Sequence, residues 1–286
     1  MLHLEKARQA KVRLGLIGDN IKRSKSPRLH RTAGSLTGID VTYELLIPRD
    51  LGKSFDEVFE EARVSSFRGI NVTYPYKELV AKKVAVSDPL VRAIDAVNTV
   101  LSAAGGPQGF NTDYSGFMRA YRDVRGEMAP GTVCLIGTGG VGKAVAFGLV
   151  GLKAQVIRCF DFDADKANTL AASLRTLGSD VMVETSTDPV LAAKGADGII
   201  NCTPIGMDGI GGSPLPAEAM LGAKWVFDAV YTPVETQFLQ HAERVGLKVI
   251  SGYEPFFGQG VDAWKIFTNV EIDPSALRDA IQGEEL

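Results

Sequence analysis

Apolar residues in this chain gather in short runs separated by polar or helix-spaced segments. In the second half the pattern is regular. Runs at 133–136, 155–160, 181–184, 198–201, 225–228 and 247–250 read as strands, with helical segments between most of them. Runs that stay apolar rather than alternating belong to strands covered on both faces. Six of them with intervening helices predict a doubly wound parallel sheet.

The first half alternates less evenly. Arg13–Ile17 reads as a strand closed by Gly18. Ser26-Pro27 reads as an N-cap and a first-turn proline opening a helix to Leu36. Val41–Ile47 is a second strand. Phe55, Val58, Phe59 and Ala62 stand at helical spacing within Ser54–Arg63, and Arg68–Val72 is a third strand with a helix after Pro75. Asp95–Val100 leads into a strand, Ala103–Gln108 with its Gly-Gly-Pro reads as a hairpin turn, and the return strand carries Gly109 to Asp113, where Asp113 caps a helix to Arg122. Tyr253–Phe267 and Pro274–Ile281 are helices without a strand partner and are expected to rejoin the first domain. The fold expected is α/β: a substrate domain with a mostly parallel mixed sheet (1–115 and 251–286), plus a Rossmann-type dinucleotide domain (116–250). Gly206–Pro216 is a long loop and a candidate lid.

Composition narrows the function classes. The chain is 45% hydrophobic and 23% charged with a net charge of −3, and its cationic residues are scattered. That is ordinary for a globular protein and offers neither a nucleic-acid surface nor a polybasic membrane surface. Cys134, Cys159 and Cys202 stand apart in or beside apolar runs, as buried free thiols of a cytoplasmic protein do, and no metal-ligand spacing links the three histidines. Met1–Lys11 is charged and lacks the apolar core of a secretory signal.

The candidate chemistry begins at the first strand of the second domain. Gly137-Thr138-Gly139-Gly140-Val141-Gly142 follows an apolar strand and opens a helix rich in Ala and Val. In such a loop the first glycine makes the turn, the second admits a pyrophosphate, and the third packs helix against strand, with phosphates held at the helix N-terminus. Asp161 ends the next strand roughly 20 residues later, where a carboxylate takes the adenosine ribose hydroxyls. Asn201–Met207 follows the fourth strand at the carboxyl edge where such sheets bind ligands.

Other polar stretches have ordinary explanations when taken singly. Ser26 caps a helix, Lys77 is a surface lysine, Asn98 and Asn111–Asp113 serve turns, and Gln259 is an exposed glutamine. Together they resemble the shikimate/quinate dehydrogenase family, in order and along nearly the whole chain. The matching motifs are Ser24-x-Ser26-Pro27-x-x-His30, Asn71-Val72-Thr73-x-Pro75-x-Lys77, Ala96-Val97-Asn98-Thr99, Asn111-Thr112-Asp113, the Gly137 loop, Asp228-x-x-Tyr231-x-Pro233-x-x-Thr236, and Gly252 to Gln259.

The resemblance implies reversible oxidation of the ring 3-hydroxyl of shikimate or quinate, with hydride passing to a nicotinamide cofactor and a small ring acid as partner. Lys77 and Asp113 match the catalytic positions. A carboxylate beside an ammonium favours the charged form of both. The pair is therefore read as positioning and shuttling the hydroxyl proton, not as a simple lysine base. Ser24, Ser26 and Tyr231 match carboxylate-binding positions, and Thr73, Asn98, Asp113 and Gln259 match ring-hydroxyl positions. Asn201, Thr203, Met207, Val230 and Gly252 are assigned to the cofactor with the glycine loop and Asp161. His30 is read as structural. A homodimer is expected from the resemblance alone.

The departures bear on specificity. NADP-using members carry Asn-Arg-Thr or similar after the second nucleotide strand, whereas this chain has Cys159-Phe160-Asp161-Phe162-Asp163. A carboxylate there accepts the ribose diol and repels a 2′-phosphate, so NAD is expected over NADP. The first loop lacks the proline and histidine of many biosynthetic members, and Pro255-Phe256 replaces the usual Met-Leu. These features resemble the NAD-linked quinate/shikimate branch. The alternatives are a paralogue acting on a related, for instance aminated, ring acid, and an NAD-sensing regulator without turnover.

Overall fold

The computed structural model describes residues 11–283. The N-terminal segment, where no secretory signal is expected, lies mostly outside these residues. The described residues form two compact units, the first running to Thr112 and resuming at Gly260, the second spanning Asp113–Gln259.

In the first unit the elements run β1 (Lys11–Ile17), α1 (Ser26–Thr37), β2 (Asp40–Leu46), α2 (Pro48–Leu51), α3 (Phe55–Val64), β3 (Gly69–Val72), α4 (Lys77–Ala81), α5 (Pro89–Ile94), β4 (Thr99–Leu101) and β5 (Gln108–Phe110). The sheet order is β2-β1-β3-β4-β5, with β1 parallel to β2 and β3, and β4 antiparallel to β3 and β5. This topology brings the ends of β1, β3 and β5 and the start of β4 to one edge. Ser54 and Glu57 form a reciprocal capping box that fixes the start of α3. Phe55, Val58, Phe59 and Ala62 of α3 pack with Ile70 and Val72 on one face of the sheet. On the other face, Leu14, Leu16 and Tyr43 pack with Ala263 and Phe267.

The second unit begins in α6 (Thr112–Arg125) and continues through β6 (Thr132–Ile136), α7 (Gly140–Gly151), β7 (Val156–Phe160), α8 (Ala164–Arg175), β8 (Met182–Thr185), α9 (Pro189–Ala193) and β9 (Gly198–Asn201). A 3-10 turn (Ala217–Met220), β10 (Trp225–Asp228), α10 (Gln237–Arg244) and β11 (Lys248–Ser251) follow. Helix α11 (Tyr253–Thr268) starts in this unit and ends in the first, which α12 (Pro274–Gly283) completes. The six strands are parallel in the order β11-β10-β9-β6-β7-β8. All six predicted runs are strands. The order reverses on either side of β6, so the β6 and β9 loops meet at the switch point where such sheets take ligands.

Two local expectations are corrected. Ser26 does not cap α1: the cap position is Lys25, in helical conformation, and Ser26 is the first helical residue. Its N–H donates instead to Ser24 Oγ at 3.2 Å. Nor does Asp113 cap α6, because the helix begins one residue earlier, at Thr112.

Candidate active site

In the first unit the polar residues expected to meet a ring acid share one sheet edge. The backbone fixes Thr73 there, its N–H donating to Ile17 O at 2.9 Å while its own carbonyl accepts from Tyr76 N at 2.9 Å. Lys77 opens α4 just beyond, and its carbonyl accepts from Val97 N at 3.0 Å. Lys77 is thereby tied to the strand-end segment that carries Asn98. Ser24 Oγ donates to Ser26 Oγ at 3.2 Å at the start of α1.

Asn98 is 4% exposed and sits in a buried network. Its Oδ1 accepts from Thr112 N at 2.8 Å and Thr99 Oγ1 at 3.0 Å, and its Nδ2 donates to Thr112 Oγ1 at 3.1 Å. Asn71, beside it, donates to Thr99 Oγ1 at 3.1 Å and accepts from the Tyr43 hydroxyl at 2.8 Å. Asn98 thus braces the end of β5 against the start of β4. Asn71, Thr99 and Thr112 complete this brace, and only its strand-end position marked it in the sequence. His30 is buried and stacks on Tyr43 at 5.0 Å between ring centroids, as the structural reading expected. Burial, set against a smaller effect of its hydrogen bond with Asn71, pushes the imidazole down to about 3.

In the second unit Tyr231 stacks on Phe256 at 4.9 Å between centroids. Burial and then the charge of Asp113 push its hydroxyl pKa up, which puts Asp113 within electrostatic reach of Tyr231. Gln259 Nε2 donates to Phe256 O at 3.0 Å. Gly116 lets α6 approach this segment, since a Cβ there would lie 2.7 Å from Pro255 O and 3.0 Å from Gln259 N. The departure at 255–256 therefore stands directly beside Tyr231 and Gln259.

The glycine loop has the form a pyrophosphate requires. Gly137 has φ +92°, and a Cβ there would lie 2.7 Å from the carbonyl carbon of Cys202. A Cβ on Gly142 would lie 2.1 Å from Gly137 O, while one on Gly139 would meet nothing within 4 Å. Turn, open approach and close packing thus fall on the three glycines in the order expected, and Gly140 and Val141 open α7 behind them. These residues fit a dinucleotide.

Asp161 Oδ2 accepts from Thr138 N at 2.7 Å and Thr138 Oγ1 at 2.9 Å, and Oδ1 accepts from Asp163 N at 3.0 Å. Burial alone would raise this carboxyl. The bonds from Thr138 and Asp163, with Lys166 nearby, outweigh it and hold the group below its ordinary value. On the opposite side of the switch point, Asn201 is fully buried. Its Nδ2 donates to Ile205 O and Asp228 Oδ1, both at 2.9 Å, and its Oδ1 accepts from Thr203 Oγ1 at 2.7 Å. Its side chain shapes the loop carrying Thr203 and the exposed Met207. Asp228 holds the neighbouring loop, accepting from Val230 N at 3.0 Å and Thr236 Oγ1 at 2.5 Å. Burial, opposed by these bonds, raises its carboxyl to about 6. Gly252 packs against this turn, where a Cβ would lie 2.6 Å from Asp228 O.

Residues 16–100 match the family described as the shikimate dehydrogenase substrate binding domain. A shikimate dehydrogenase (NADP(+)) of Pseudarthrobacter chlorophenolicus is 35% identical over 270 residues, covering 93% of this chain and 92% of that one. The chain belongs to the shikimate/quinate dehydrogenase family. A quinate/shikimate dehydrogenase (NAD(+)) of Corynebacterium efficiens is 34% identical, covering 93% of this chain and 95% of its own. Among solved structures, quinate dehydrogenase from Corynebacterium glutamicum in complex with NAD superposes with a TM-score of 0.88 at 31% identity, over 96% of this chain and all of that one. As a member of the shikimate/quinate dehydrogenases, the chain is an oxidoreductase that works with a nicotinamide dinucleotide. Among the described residues no cluster of His, Cys, Asp and Glu could hold a metal ion, and no helix is long and apolar enough to cross a membrane.

Proposed function

We propose that the chain oxidises the ring 3-hydroxyl of shikimate, quinate or both, with NAD as the hydride acceptor. The observation that carries the cofactor choice is the Asp161 carboxylate, held at the end of β7 by Thr138 and Asp163. A fixed anion at that point accepts ribose hydroxyls and repels a 2′-phosphate. No arginine stands in the Phe160–Asp163 segment to reverse that sign.

The nicotinamide ring supplies the hydride acceptor when the cofactor is bound. Lys77 and Asp113 hold and pass the proton that leaves the hydroxyl as its carbon is oxidised. Ser24, Ser26 and Tyr231 take the carboxylate of the ring acid. Thr73, Asn98 and Gln259 bind its remaining hydroxyls, with Asn98 offering the second N–H of its amide. The Gly137–Gly142 loop receives the pyrophosphate, and Thr203, Met207, Val230 and Gly252 line the rest of the dinucleotide surface, shaped from behind by Asn201.

Purified protein supplied with NAD and either acid tests the reading through absorbance at 340 nm. NADH formation with shikimate or quinate supports it, and silence with both acids refutes it.

A further inference from the structure

Asp161 is not presented to solvent as a free carboxylate. It has roughly four acceptor positions, and three take protein donors: Thr138 N at 2.7 Å, Thr138 Oγ1 at 2.9 Å and Asp163 N at 3.0 Å. Both Thr138 donors converge on Oδ2. The remaining acceptor position therefore lies chiefly on Oδ1. Thr138 is 1% exposed, so its hydroxyl serves the protein interior and is not a surface contact for a ligand. It is also the residue between the turn glycine Gly137 and the open glycine Gly139. One residue thus connects the pyrophosphate loop to the carboxylate that reads the ribose.

We propose that Thr138 is a positioning residue for cofactor specificity: its hydroxyl locks the Asp161 carboxylate so that it cannot turn aside to admit a 2′-phosphate. The inference rests on the reading of Asp161 as the NAD-selecting group and adds what keeps that group in place. Two donors on one oxygen and a third on the other leave the carboxylate little freedom about its last torsion. Loss of the hydroxyl leaves Oδ2 with the backbone bond alone and weakens the lock without altering the charge.

The test is direct binding of NADH and NADPH by cofactor fluorescence, on the intact protein and without turnover. It compares wild type, Thr138→Val and Thr138→Ser, with a thermal melt to confirm that each variant is folded. Val keeps the shape and removes the hydroxyl, and Ser restores the hydroxyl. In Thr138→Val the preference for NADH over NADPH, as a ratio of Kd values, falls about tenfold, the scale of one hydrogen bond to a charged group. Most of the change comes from tighter NADPH binding. Thr138→Ser keeps the wild-type ratio. A merely structural role for Thr138 would weaken both cofactors alike and leave the ratio unchanged, and that result, in folded Thr138→Val, overturns the inference while leaving Asp161 as the selector. A wild-type protein that binds NADPH as tightly as NADH overturns the cofactor reading and the inference with it.

Discussion

The backbone N–H of Thr112 donates to Oδ1 of Asn98 at 2.8 Å, tying the start of α6 to the strand end that follows the Lys77 segment. Asp113 is the next residue along the chain, so its place at the head of the helix depends on a bond made by its neighbour. Removing the amide, as in Asn98→Leu, leaves the Thr112 N–H buried without its acceptor. The expected loss is about 1–3 kcal/mol of stability, read by urea denaturation. Turnover should fall further than the stability loss explains, because in the proposed function Asn98 also binds the ring acid. A variant with wild-type stability and kcat/KM would contradict this role.

Lys77 carries the proton step in the proposed function. Lys77→Ala should lower kcat by about 10²–10⁴, the range for loss of a positioned acid–base group, while KM moves little. Steady-state kinetics on the ring acid separates the two effects. Near-normal turnover in the variant would remove Lys77 from the mechanism.

Asp161→Ala removes the fixed anion that Thr138 and Asp163 hold. The ratio of kcat/KM for NAD to that for NADP should fall by at least about tenfold, since a single hydrogen bond to a charged group is worth that much. An unchanged ratio would mean that some other feature selects the cofactor.

Two buried groups give opposing pH dependences. His30 is lowered from its ordinary 6.5 to about 3, so between these values the unfolded chain holds the extra proton and stability rises with pH. Asp228 is raised from 3.8 to about 6, so across that interval the folded chain holds the extra proton and stability falls with pH. Each slope is about 1.4 kcal/mol per pH unit, and where the two intervals overlap they offset one another. His30→Gln should therefore expose a stability that falls as pH rises through that overlap, and Asp228→Asn one that rises. Denaturation midpoints across the acid range check the pair. Both variants keeping the wild-type slope would contradict the burial argument.

The central strands of the second unit, such as Val133–Ile136 and Trp225–Asp228, were readable because a parallel sheet covered on both faces needs unbroken apolar runs there. The glycine loop was readable because its constraint is local: the turn and the close packing each exclude a side chain at a fixed spacing. At the start of α1 the sequence points to Ser26 as the cap, whereas Ser26 is already helical. A serine before proline signals a boundary on its own, but Ser24 Oγ takes the Ser26 N–H and lets the helix begin one residue earlier. The buried networks were not readable. Thr138 and Asp161, Asn98 and Thr112, and Asn201 and Asp228 are paired by sheet order, and nothing in the spacing of these residues announces it. The short helices Pro48–Leu51 and Pro89–Ile94 went unpredicted because neither is long enough to show a helical period.

The most direct measurement is kcat/KM for shikimate and for quinate, each with NAD and with NADP, on one preparation of the protein. At least one acid should be oxidised, and every acid that reacts should do so more efficiently with NAD. Reduction of neither cofactor by either acid, or equal or greater efficiency with NADP, would contradict the proposed function.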